Sequence, residues 1–230
     1  MASIGHVAVG MLAGRLHGAR NGKDLMATMS AYAGLSLLPD LDIVPLAFGV
    51  HDKGLCGHRG ISHTWLFAAL VSAVAYFLFR KGRNPIRVTV LTFLTVASHG
   101  LLDASTTDSR GIHLLWPLFD ERIVMPLRPI PVAPSGIAFL SWRGIQVSLV
   151  ETLYFLPVML LALWKAPLRS FLKSRYPTLA RVQVFIVCTA FCLVSGQILL
   201  MHSELVARTW DPKGYDARNG PTPQGPARPH

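Results

Sequence analysis

The sequence predicts an all-α protein, a multi-spanning integral membrane helical bundle of about six apolar helices, the first two of them short. Three observations carry that prediction. The chain is 51% apolar and only 15% charged, outside the usual soluble composition. Its apolar residues gather into segments separated by short polar stretches. Its basic residues fall in alternate connections between those segments, as they do on the cytoplasmic side of membrane helices.

The elements follow in order. Ile4 to Gly14 is too short to cross about 30 Å of hydrocarbon alone, so a half-helix or re-entrant element is expected. Leu25 to Leu38 ends where Pro39 biases the preceding residue away from helical dihedrals. Asp40 and Asp42 are then expected in extended or turn backbone, with both side chains pointing the same way. Trp65 to Phe79, Val88 to Leu102, Val147 to Trp164 and Val182 to Met201 approach or reach the roughly 20 residues of a spanning helix. Residues 1–205 therefore read as one membrane-embedded domain, and 206–230, rich in proline and glycine, as a disordered tail. The first residues carry no basic leader, so no removable signal peptide is expected.

Charge sets the orientation. Arg15, Arg20 and Lys23 separate the first two segments; Arg80, Lys81, Arg83 and Arg87 the third and fourth; Lys165, Arg169, Lys173, Arg175 and Arg181 the fifth and sixth. These loops hold more than half of the 22 basic residues and a single acid, Asp24, so they face the cytoplasm and both termini lie outside. The same placement argues that the net charge of +10 serves the bilayer, with no nucleic-acid partner expected. Three cysteines, Cys56, Cys188 and Cys192, make no disulfide framework.

A charge at the centre of a membrane helix costs roughly 2.5–3.5 kcal/mol, so each ionisable residue near these segments needs a reason. His6, Asp40, Asp42, His58, His63, His99, Asp103 and Glu151 all fall at or near the outer end of a segment, although the topology rests on lysine and arginine alone. That convergence predicts one shared site. His99 and Asp103, spaced i and i+4, project from one helix face and can offer two ligands to one metal. His58 and His63 would diverge on a helix. Gly60 is the expected hinge that lets both rings converge, with Ser62 as N-cap and His63 in the first helical turn.

Imidazole mixed with carboxylate suits zinc, and also manganese or iron. Four histidines and three carboxylates exceed the needs of one tetrahedral ion, so two or more divalent ions are expected, with a metal-activated water attacking a phosphoester. Arg59 and Asp42 are the candidate catalytic groups, Arg59 as the phosphate-binding cation. Glu151 could ligate, pair with Arg143 or bond a neighbouring helix, and His113 could ligate, stack or cap.

The ordered set His6, "LLPDLD" (Leu37 to Asp42), "HRGISHT" (His58 to Thr64), "SHGLLDAST" (Ser98 to Thr106) and "GIHLLWPL" (Gly111 to Leu118) resembles the YdjM-like inner-membrane metal-dependent hydrolases, of the LexA-regulated type. The resemblance covers roughly residues 1–165. That family is distantly similar to the zinc-dependent phospholipase C and P1 nuclease superfamily, whose all-α fold binds metals through an early histidine, an aspartate, a histidine and an HxxxD pair. It implies His6, Asp40 or Asp42, His58 or His63, and His99 with Asp103 as ligands. It also implies a hydrolase of the bacterial inner membrane, its site facing the periplasm, acting on a lipid or lipid-linked phosphoester. Downstream ligands are limited to His113 and Glu151, so two metals are expected rather than three. The competing expectation is a non-catalytic membrane protein in which the same residues form a structural metal site or an ion pathway. A protease is disfavoured, because no HExxH motif occurs.

Overall fold

The computed structural model describes residues 4–19, 21–44, 55, 57–82, 84–108, 110–134 and 139–163. Five α-helices form there: α1 (Ile4–His17), α2 (Gly22–Leu37), α3 (Trp65–Phe79), α4 (Pro85–Ala104) and α5 (Trp142–Leu163). The described residues contain no strand, and isolated bridges, Thr106 with Ile130 and Ile112 with Ile123, tie down the long α4–α5 connection. The expected helix Val182 to Met201, the tail 206–230 and all three cysteines lie outside the described residues.

Helix α1 packs against α2, α5 and α4, while α4 also packs on α3 and α2. Close approach of α1 and α2 depends on Gly10 and Gly14, one turn apart. A Cβ at either would come within 2.5 Å of α2 backbone, at the Tyr32 carbonyl oxygen and at Met29 Cα respectively. This is the small-xxx-small interface by which membrane helices gain van der Waals contact without a hydrophobic driving force between them.

The span count differs from expectation. Among the described residues two helices, α4 with 20 residues and α5 with 22, are long and apolar enough to cross a membrane, rather than about six. Helix α3 has 15 residues, about 22 Å at 1.5 Å per residue, and α1 and α2 have 14 and 16. The reason is local. Thr64 caps α3 by accepting from the Phe67 N–H at 3.0 Å, and Arg80 follows its last residue, so the apolar run cannot lengthen.

Leu38 keeps a helical backbone (φ −55°, ψ −41°) despite preceding proline, and Leu38–Ile43 continues as a 3-10 turn instead of extended chain. Pro39 sits in its first turn, where a missing N–H costs nothing and the fixed φ suits a helix. At three residues per turn, Asp40 and Asp42 point different ways, not the same way.

Burial is inverted relative to a soluble bundle. Leu70, Val74, Phe77 and Leu78 of α3 and Ile86, Val90 and Leu94 of α4 are exposed, whereas His6, Arg59, His63, His99, Asp103 and Glu151 are buried.

Candidate metal centre

Four donors from three segments face one another at one end of the bundle. Helix α4 supplies His99 and Asp103, one turn apart on its buried face, and the 3-10 turn after α2 supplies Asp40. His63 comes from a short 3-10 turn, Ile61–His63, immediately before α3. It is therefore not in the first helical turn, as expected. Thr64 caps α3, and Ser62 instead donates to Asp42 Oδ2 at 2.6 Å, a charged acceptor that outcompetes a capping role. Gly100 lets α4 approach this turn, since a Cβ there would lie 2.5 Å from the His63 carbonyl oxygen.

The tautomers can be read from the partners. His99 Nδ1 lies 2.6 Å from the Ser36 carbonyl oxygen, which only accepts, so Nδ1 carries the proton and Nε2 presents a lone pair. His63 Nδ1 lies 3.2 Å from Asp42 Oδ2 and 3.0 Å from Ser62 Oγ, whose own proton goes to Asp42. His63 thus also points Nε2 inward. The two Nε2 atoms are 3.1 Å apart. Asp40 Oδ1 lies 3.3 Å from His99 Nε2 and 3.7 Å from His63 Nε2, and Asp103 Oδ2 lies 3.5 Å from His63 Nε2. Both of those carboxylate oxygens are buried without a hydrogen bond.

This set fits a divalent ion. Two imidazoles bound at about 2.0–2.1 Å to one ion, at an angle of roughly 100°, hold their nitrogens about 3.1 Å apart. Asp40, His63, His99 and Asp103 each offer a ligand atom, all within 4.8 Å of one another. A second group, Asp42, His58 and His63, meets the same criterion and shares His63. In it His58 Nδ1 lies 2.7 Å from Asp42 Oδ1, and the two imidazole rings meet edge to face at 5.5 Å.

His6 stands just behind the first group. Its Nε2 lies 3.1 Å from Asp103 Oδ1, and its ring stacks on His99 at 3.9 Å. All seven residues expected as ligands are therefore gathered in one place, six of them in the two groups and His6 in support of Asp103.

Arg59 is buried and holds a left-handed backbone conformation (φ 65°), whereas Gly60, the expected hinge, has φ −89°. Its N–H donates to Asp42 Oδ2 at 3.2 Å. Its guanidinium lies 3.4 Å from Asp103 Oδ2, 3.0 Å from Asp108 Oδ2 and 3.5 Å from Thr106 Oγ1. A phosphate contact would require it to leave Asp108.

Electrostatics at the 3-10 turns oppose burial. Burial would raise the Asp42 carboxyl, but hydrogen bonds from His58, His63 and Ser62 hold it well below the usual carboxylate range. Asp40 is likewise raised by burial and lowered further by His63 and His99, ending below that range. For His63, burial lowers and the carboxylates of Asp103, Asp40 and Asp42 raise, and the carboxylates win, to about 10. A metal-free cluster thus holds a proton where a cation would otherwise sit.

Sequence reasoning missed Ser36, Thr106 and Asp108, and gave Ser62 a capping role in place of its bond to Asp42. Ser36 acts through its main-chain carbonyl, which no side-chain pattern reveals. Asp108 lies five residues past Asp103 in "DASTTD", close enough to have been tested as a partner of the same cation. Glu151 accepts from the Gly5 N–H at 3.1 Å, so α5 anchors the start of α1 beside His6. His113 belongs to neither donor group and lies 3.6 Å from Asp120.

Residues 1–198, which include every residue of both groups, match the family described as YdjM inner membrane protein. The chain belongs to the YdjM family. It is also 38% identical over 131 residues to the inner membrane protein YbcI of Escherichia coli (strain K12), an alignment spanning 55% of this chain and 76% of that protein. No solved structure matches the chain. Membership of the YdjM family, whose description is that of an inner membrane protein, agrees with the exposed apolar faces of α3 and α4.

Proposed function

We propose that the protein is a metal-dependent hydrolase of the bacterial inner membrane, cleaving a lipid or lipid-linked phosphoester at the periplasmic face. One observation carries the reading: two inward imidazole Nε2 atoms 3.1 Å apart converge with one carboxylate oxygen each of Asp40 and Asp103, neither of them in a hydrogen bond. Two imidazoles and two carboxylates suit zinc, with manganese or iron as alternatives. An ion held there would supply Lewis acidity and lower the pKa of a water.

The chain's own groups divide the remaining work. Asp42 holds the proton on His63 Nδ1 and, with His58, forms the group that could hold a second ion. His6 and Arg59 hold Asp103 from behind, and Arg59 offsets the charge of Asp103 and Asp108. Asp40 and Asp42, with side chains 17% and 11% exposed against 0% for His99 and Asp103, mark the side from which a headgroup would enter. The periplasmic assignment rests on the basic loops lying at the opposite end of the helices.

The test is the metal content of purified protein and its hydrolysis of a chromogenic phosphodiester. About one or more zinc, manganese or iron ions per chain are expected, with content at least halved in His99→Ala and Asp103→Ala. Unaltered content in both variants would sink the proposal. A second reading, a structural metal site, is favoured by the near-complete burial of His63, His99 and Asp103. A bound ion with four protein ligands and no exchangeable water, in a protein that hydrolyses no phosphoester, would select it.

A further inference from the structure

A cavity of about 610 Å³ opens at the end of the bundle opposite the metal centre, between α2, α3 and α4. Its size is that of a small-molecule site. Leu35 of α2, Val71, Val74 and Leu78 of α3 and Val88 of α4 form apolar walls, with Val74 and Leu78 exposed on the outer face. The stretch from Val71 to Phe79 follows about 12 Å of helix, so the walls run lengthwise along the bundle.

The mouth of this cavity is cationic. Arg87 lines it, is exposed, and has no carboxylate partner among the described residues. Asn84, also at the mouth, is the N-cap of α4 but makes no side-chain cap bond, and Pro85 follows it. The first N–H groups of this 20-residue helix therefore lack a side-chain acceptor, at the positive end of the helix dipole. His17 closes the other side. Deeper in, the buried Thr92 hydroxyl and the Tyr32 hydroxyl, which interact with each other, line the cavity and make it the more polar on that side. Arg15 in the last turn of α1, Lys23 in the first turn of α2, and Arg80 and Lys81 after α3 add positive charge at this end, where Asp24 is the single acid among the described residues.

We infer that this cavity is a binding site for one anionic phospholipid, an acyl chain lying between α2, α3 and α4 and the phosphate seated on Arg87 and the uncapped start of α4. The walls match hydrocarbon and open toward the bilayer. The mouth matches a phosphodiester anion at the level where headgroups sit, and the surrounding loops add attraction of the same sign. A zwitterionic lipid would satisfy the walls but not the charge. The site is independent of the metal centre and needs no catalytic activity.

The experiment offers the purified full chain an equal mixture of phosphatidylglycerol and phosphatidylcholine with matched acyl chains and reads bound lipid by native mass spectrometry. Wild type is expected to retain phosphatidylglycerol preferentially. Arg87→Ala, an exposed change that leaves the walls intact, is expected to lose about fivefold of that preference. Ala75→Trp, which fills the cavity from α3, is expected to retain neither lipid. Retention of no lipid, equal retention of both, or an unchanged preference in Arg87→Ala would overturn the inference. So would displacement of phosphatidylglycerol by inorganic phosphate, which would mark a free-anion site. A dimer that becomes monomeric in Ala75→Trp, with no lipid held, would assign the groove to a second copy of the chain.

Discussion

Asp40 Oδ1 and Asp103 Oδ2 are buried without a hydrogen bond, Asp103 Oδ2 with an ion pair to Arg59 at 3.4 Å, and a buried acceptor left without a donor costs about 1–3 kcal/mol. The metal-free protein answers part of that cost by protonating His63, whose carboxylate neighbours raise it to about 10. The sign of the pH dependence follows. A group raised above its unfolded value near 6.5 contributes stability fully present below that pH and lost as pH rises toward 10. Metal-free protein is therefore expected to lose thermal stability across that interval, an effect diminished in His63→Gln. The same proton must leave when an ion binds. Zinc titration calorimetry at pH 7 in buffers of different ionisation enthalpy should show release of about one proton per ion. No buffer dependence would contradict the extra proton held on His63 in the metal-free protein. At this scale His99 and Asp103 were legible because i, i+4 spacing within one helix fixes their shared face. Ser36 and Asp108 were not, because their roles depend on which segments meet.

Helix boundaries here are set by caps and by close backbone contact more than by apolar length. Thr64, not Ser62, starts α3, so Thr64→Ala should destabilise the protein by roughly 1 kcal/mol, seen as a lower unfolding midpoint in detergent. Gly10→Val should cost more, roughly 1–3 kcal/mol, since its Cβ alone would meet the Tyr32 carbonyl oxygen at 2.5 Å. An unchanged midpoint would mean that α1 and α2 separate freely. The apolar runs located α1 to α5 in sequence. They did not show the 3-10 turn at Leu38–Ile43, because the bias of a residue before proline is weak enough for packing to override.

Across the whole molecule, two polar ends of different character lie on a common set of helices: the donor groups at one, the basic loops and the apolar-walled cavity at the other. A cysteine replacing Lys81 should react with a membrane-impermeant maleimide only after the inner membrane is opened. Labelling in intact spheroplasts would reverse the orientation and place the metal centre in the cytoplasm. By itself the sequence determined the helical class, the alternation of basic loops and the family. These follow from composition, from charges within short loops and from ordered motifs, all of which are local. Only the tertiary structure decided that two of the described helices are long enough to span, that Asp40 and Asp42 face opposite ring nitrogens of His63, and that Arg59 is enclosed behind Asp103. Those outcomes depend on directions in space, and direction is set by where the backbone turns and by what packs against it.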